Sequence, residues 1–164
     1  NAARIIKSQG IFLAIQNIVG IPGGSLEADF DTLRLNAKAK PDYAWVSLCN
    51  PYPGTELGDY AQKNGYFDGN LSKILPTYHL RSPLKIKNKR EIENLHKLFA
   101  FAAEYPQYLA IVKLLIKLPL TGIYELFRKI FKGWIYYKKD RFGIKFKPRD
   151  KIKNMIKFLT EIGG

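Results

Sequence analysis

A chain of 164 residues with 46% hydrophobic and 25% charged side chains is long enough for one ordinary domain with a sizeable core and too apolar to read as disordered. Its single cysteine, Cys49, excludes an internal disulfide framework and suits a reducing cytosol. No apolar run reaches the roughly 18 residues of a membrane span, and no signal peptide is legible.

The net charge of +13 sits in one half: residues 1–80 carry 7 Lys/Arg and 7 Asp/Glu, whereas residues 81–164 carry 20 and 7. That shift predicts two regions, 1–68 and 90–164, joined by a weakly patterned, Pro-containing linker at 69–89. The chain begins with Asn rather than Met and reads as part of a longer one.

Residues 1–9 look like the end of a helix stopped at Gly10. Residues 11–19 are rich in large apolar side chains on both alternating faces, the pattern of a parallel strand buried on both sides. A Gly/Pro turn, Gly20-Ile21-Pro22-Gly23-Gly24, leads to Ser25 as N-cap of a helix whose first acids, Glu27, Asp29 and Asp31, suit the positive end of its dipole. Phe30, Leu33 and Ala37 give that helix a core stripe, and Pro41 ends it by Lys40. Residues 43–48 form a second strand, and a second turn, Asn50-Pro51-Tyr52-Pro53-Gly54, leads to Thr55 as cap of a helix running to about Lys63 and Gly65.

Beyond the linker the pattern is helical. Ile92, Leu95, Leu98, Phe99, Ala102 and Ala103 make one apolar face over residues 90–105, and residues 108–118 are apolar nearly all round. After Pro119, with Thr121 as cap, Ile123, Phe127, Ile130, Phe131, Trp134 and Tyr137 are expected on the inner face, with Arg128, Lys129, Lys132, Lys138 and Lys139 in solvent. Residues 143–147 read as a short irregular or extended piece, and a last helix after Pro148 turns Ile152, Met155, Ile156 and Leu159 inward.

Two consecutive strand–loop–helix units imply a parallel sheet with both Gly/Pro loops at the strands' carboxyl ends, where α/β folds bind ligands. Glycines permit close backbone approach, and free N–H groups at a helix start suit an anion or the edge of an adenine. The first loop has neither the Lys-Ser/Thr pair of a P-loop nor the spacing of a GxGxxG fingerprint. A tight strand-to-helix turn explains it as simply, and a rigid connector explains the second loop. Two parallel strands do not cover their own faces, so residues 1–68 read as the last part of a larger α/β unit.

Taken together, Val19-Gly20-Ile21-Pro22-Gly23-Gly24-Ser25 and Pro51-Tyr52-Pro53-Gly54-Thr55-Glu56-Leu57, followed by Asn64-Gly65, resemble the radical S-adenosylmethionine (radical SAM) superfamily. In that family a "G-[LI]-P-G-E-T" loop follows the fifth strand, and a "P-x-P-G-T-x-L" loop the sixth, of a partial (β/α)6 TIM-type barrel. The basic helical tail is similar to the extension of members that carry a cobalamin-binding domain. The resemblance implies an α/β fold, the last β/α units of such a barrel followed by a mainly α-helical region. It implies an Fe-S oxidoreductase parent using S-adenosylmethionine and a [4Fe-4S] cluster, with cobalamin allowed, and a missing N-terminal barrel half as partner.

By position, the resemblance assigns adenine contacts to Ile18, Val19 and Gly20. It assigns backbone contacts and the substrate wall to Leu48, Cys49, Asn50, Pro51 and Tyr52. Two departures matter. Gly24 stands where the family often has Glu, and the three-cysteine CxxxCxxC cluster motif is absent. One thiol does not hold a cluster, so this chain alone is expected to bind none of these cofactors and to be inactive.

His79 and His96 have no metal-ligand partners at zinc spacing, and Cys49 reads as a small buried hydrophobe. The basic, aromatic tail fits an anionic membrane surface better than nucleic acid, because its aromatics fall at core spacing. Lysines on the solvated face of a packed helical subdomain explain it equally. A cytoplasmic chain, peripheral to a membrane or not, is expected, and an open sheet edge would allow a homodimer of the fragment.

Overall fold

The computed structural model describes residues 2–74 and 81–138 of the chain. The expected extended piece at 143–147, the last helix, His79 and the side chain of Tyr137 lie outside the described residues. The order is α1 (Ala2–Ser8), β1 (Ala14–Val19), α2 (Leu26–Ala39), β2 (Tyr43–Leu48), α3 (Glu56–Lys63), α4 (Lys89–Glu104), α5 (Leu109–Leu115) and α6 (Thr121–Lys138), with short 3-10 turns at Leu71–Lys73 and Pro106–Tyr108.

The chain is mixed α/β. β1 and β2 pair in parallel, in register from Ala14 opposite Tyr43 to Val19 opposite Leu48, with α2 as the crossover. Local chemistry sets most boundaries. Gly10 stops the chain after α1 at φ +69°. Ser25 accepts the Ala28 amide and Thr55 the Gly58 amide, each satisfying one orphan donor of a first turn. Lys40, ahead of Pro41, closes α2 in the left-handed region, and its amide returns to the Asn36 carbonyl.

α4 organises the interior. Its inner face (Ile92, Leu95, Leu98, Phe99, Ala102, Ala103) joins Phe30 and Leu33 of α2 and Ala44, Val46 and Leu48 of β2 in one core, extended by Val112, Ile116 and Tyr124. Each such Leu or Phe contributes ~1.5–3 kcal/mol relative to exposure. Apolar packing therefore runs without interruption from the first strand to α6. Two asparagine clusters inside that core are hydrogen-bonded. Asn17 and Asn36 exchange side-chain amide hydrogen bonds of 3.2 and 2.7 Å, and Asn17 also donates to the Trp45 carbonyl at 2.8 Å. Asn94 donates to the carbonyls of Ile116 and Leu118, holding the α5–α6 turn against α4.

Three expectations change. β1 starts at Ala14 rather than residue 11, and only one of its faces is buried, since Ala14, Gln16 and Ile18 point outward. Thr121 does not cap α6; its hydroxyl donates to Asn94 Oδ1 at 3.0 Å. In α6, Ile123, Ile130 and Trp134 are exposed, whereas Lys132 is buried with its ammonium 4.3 Å above the Trp45 ring. The reason is angular: the apolar residues of α6 span roughly half the helix circumference, more than its contacts with α4 and β2 cover. Tyr124, Phe131 and Ile135 turn in, and long cations beside them lay their stems along apolar surface.

Candidate functional site at the strand ends

The two Gly/Pro loops lie side by side, because the parallel register continues one step past the strands: the Cys49 amide donates to the Val19 carbonyl at 2.9 Å. Gly20, at φ +73°, turns the first loop away from β1. It is buried, and a Cβ added there would lie 3.2 Å from Ile86 and from Ile92, so the start of α4 forms the floor beneath the loop. The next turn closes with the Gly24 amide on the Ile21 carbonyl at 2.9 Å.

The second loop is fixed by its own backbone. Thr55 Oγ1 donates to the Tyr52 carbonyl at 2.7 Å while accepting the Gly58 amide. Gly58 lets α3 approach so closely that a Cβ there would sit 2.2 Å from the Tyr52 oxygen. The Tyr60 hydroxyl of α3 reaches the first loop and would lie 2.9 Å from a Cβ on Gly23. The two loops and α3 thus form one surface.

The eight residues assigned from sequence divide by position. Ile18 (54% exposed) and Tyr52 face outward and offer side chains to a ligand. Val19 and Leu48 are buried in the main core, so only their backbone is near the surface. Cys49 packs with Ala61, Phe67 and Leu84 in a second small core, and Gly20 and Pro51 are buried. Asn50 differs from all of these. It is 8% exposed, and its amide nitrogen has no hydrogen-bond partner among the described residues. A buried amide donor without an acceptor costs ~1–3 kcal/mol, and a ligand with a ring nitrogen or carbonyl would satisfy it.

Asp29 belongs to this surface although sequence reasoning treated it as a helix-dipole residue. Both carboxylate oxygens accept the Gly20 amide at 3.2 Å. Burial pushes its carboxyl up to about 6, against the lowering effect of that hydrogen bond. Burial, and secondarily the Asp29 charge, push the Cys49 thiol up to about 11. The signal was present in the spacing: Asp29, Leu33 and Asn36 share one side of α2, and all three are buried.

The electrostatics of the loops oppose an anion. The first turn of α2 carries Glu27 and Asp29, and that of α3 carries Glu56 and Asp59, so the positive helix ends are already countered. A neutral or cationic ligand fits better. The chemistry for an iron–sulfur cluster is not here. Cys49 is the chain's single thiol, it is buried and held protonated, and among the described residues no group of three His, Cys, Asp or Glu could hold a metal. The chain matches no protein-family model, no curated protein and no solved structure.

Proposed function

We propose that the carboxyl-terminal edge of β1 and β2 is the adenine and substrate wall of a radical SAM enzyme. The two strands would then be the fifth and sixth of a partial (β/α)6 barrel completed by sequence preceding Asn1. The observation that carries the reading is the buried Asn50 amide, without a partner among the described residues, beside two paired parallel strand ends. An adenine presents ring-nitrogen acceptors to such a donor, and the apolar side chain of Ile18 and the Tyr52 ring suit its faces. The acids in both helix starts favour the sulfonium cation of S-adenosylmethionine over a phosphate ligand.

In that family the bound cofactor supplies one-electron chemistry in partnership with the cluster. This chain's residues do simpler work: Asn50 orients the purine edge, Ile18 and Tyr52 exclude water from its faces, and Asp29 holds the Gly20 turn in place. The outward face of β1, with Gln16 and Ile18, would then look into the barrel. Reading the coding DNA upstream of Asn1 tests the assignment. An in-frame CxxxCxxC is expected there, and an upstream reading frame without one would remove the proposal.

A further inference from the structure

On the side of the molecule formed by α5 and α6, the exposed side chains make a ridge of one chemical kind. Between Gly122 and Trp134 the exposed side chains of α6 are Ile123 (61%), Leu126 (59%), Ile130 (52%) and Trp134. Their spacing of three and four residues places them in a single stripe along the helix. Leu118 in the turn before α6 and Leu114 of α5 (66%) are exposed as well. A contiguous apolar ridge of this kind is unusual on a surface that meets only water.

Its surroundings are basic. Residues 105–138 contain six Lys or Arg and one acid, Glu125. That acid is consumed by Arg128, which grips it at 2.5 and 3.0 Å. Lys132 is buried against Trp45 and Lys113 reaches Glu27, so Lys117, Lys129 and Lys138 are the cations that stand at the surface. Lys117 lies exposed beside Leu118, Arg90 donates to the Lys117 carbonyl at 3.2 Å, and the Lys138 ammonium stands 4.7 Å over the Trp134 ring. An indole capped by a cation at the end of an aliphatic stripe matches the layering of a lipid interface, with acyl chains below and anionic headgroups above. None of the described helices is long and apolar enough to cross a membrane, so the ridge would lie in the interface plane.

We propose that the α5–α6 ridge docks the protein on an anionic phospholipid surface. Charge decides the occupant. A second copy would bring the same excess of cations against this one, whereas an anionic bilayer neutralises it at ~1 kcal/mol per Lys or Arg near the surface. Nucleic acid would share the charge complementarity but finds aliphatic side chains where stacking rings are required. The ridge is separate from the strand-end surface and does not depend on the ligand proposed there.

Flotation of the full chain with vesicles tests this. Binding to phosphatidylglycerol-containing vesicles should exceed binding to phosphatidylcholine alone by at least about tenfold and weaken between low salt and ~0.15 M. The triple variant Ile123→Ser, Leu126→Ser, Ile130→Ser should lose it with an unchanged circular dichroism spectrum, since all three side chains are exposed. Should the variant fold poorly, quenching of wild-type tryptophan emission by brominated anionic lipid gives an independent readout and is expected. Equal or absent partition to both lipids, or full binding by the folded triple variant, would overturn the proposal. So would a wild-type dimer, by light scattering, that ignores vesicles and that the triple variant dissolves.

Discussion

The Gly20 amide donates to both carboxylate oxygens of Asp29, at 3.2 Å each, and so ties the tip of β1 to the first turn of the helix that follows it. The bond closes the loop from inside, where burial holds the carboxyl's proton up to about pH 6 instead of the usual 3.8. A group with its folded value raised contributes stability below 3.8 that is lost as pH rises through about 6. For Asp29 that loss is at most ~3 kcal/mol. Replacing Asp29 with Asn keeps an acceptor for Gly20 without a charge to bury. Urea midpoints of wild type and Asp29→Asn should therefore coincide near pH 3.8 and separate in favour of the variant toward pH 7, and a constant offset across that range would contradict the buried-carboxyl account.

Cys49 should behave as an unreactive thiol. Burial, reinforced by the neighbouring Asp29 charge, pushes it up to about 11, so little thiolate exists at neutral pH. Alkylation by iodoacetamide is expected to proceed only as fast as the chain opens and to accelerate in denaturant. Rapid labelling of the native chain at pH 7 would place Cys49 elsewhere than against Ala61, Phe67 and Leu84.

Gly58 is the position where the second loop and α3 touch. A methyl group 2.2 Å from the Tyr52 carbonyl must move one of them, so Gly58→Ala should destabilise by ~1–3 kcal/mol even though Ala is the better helix former. A thermal melt reads this directly. A melting point equal to or above wild type would show that the loop gives way freely.

The Asn17–Asn36 pair makes a different prediction. Asn17→Ala removes the acceptor at 2.7 Å and the donor at 3.2 Å that the buried Asn36 side chain uses, leaving it the 2.8 Å bond to the Thr32 carbonyl, at a cost of ~1–3 kcal/mol. Adding Asn36→Ala to that variant should cost less than the same change in wild type. A double-mutant cycle measures the coupling, and strict additivity would mean that the pair contributes nothing as a pair.

Punctuation residues made much of this fold legible in advance. Ser25, Thr55, Gly10, Pro41 and Gly65 act through local backbone chemistry, and the structure places the neighbouring boundaries within a residue or two of where they point. The faces of α6 were not legible, because its apolar arc is wider than one interface and only the partner helix decides which part is covered. β1 misled for a related reason: Ile18 and Ala14 are apolar but no described element packs over them. At the strand ends, the alignment of the two loops followed from the repeated strand–turn–helix pattern. The carboxyl of Asp29 against Gly20 did not, because a first-turn acid has an adequate local explanation that hides its tertiary one.

The strand-end surface itself is tested by mapping amide shifts of the 15N-labelled chain during titration with S-adenosylhomocysteine. Weak but saturable shifts, with half-saturation at roughly 1 mM or above, are expected at residues 18–22 and 48–53, because one wall touches the purine without retaining the cofactor. Asn50→Ala should abolish them without lowering the melting point, since its buried amide nitrogen bonds to no described residue. Saturable shifts confined to other parts of the chain, or none in these two loops, would contradict the assignment of the β1–β2 edge as an adenine wall.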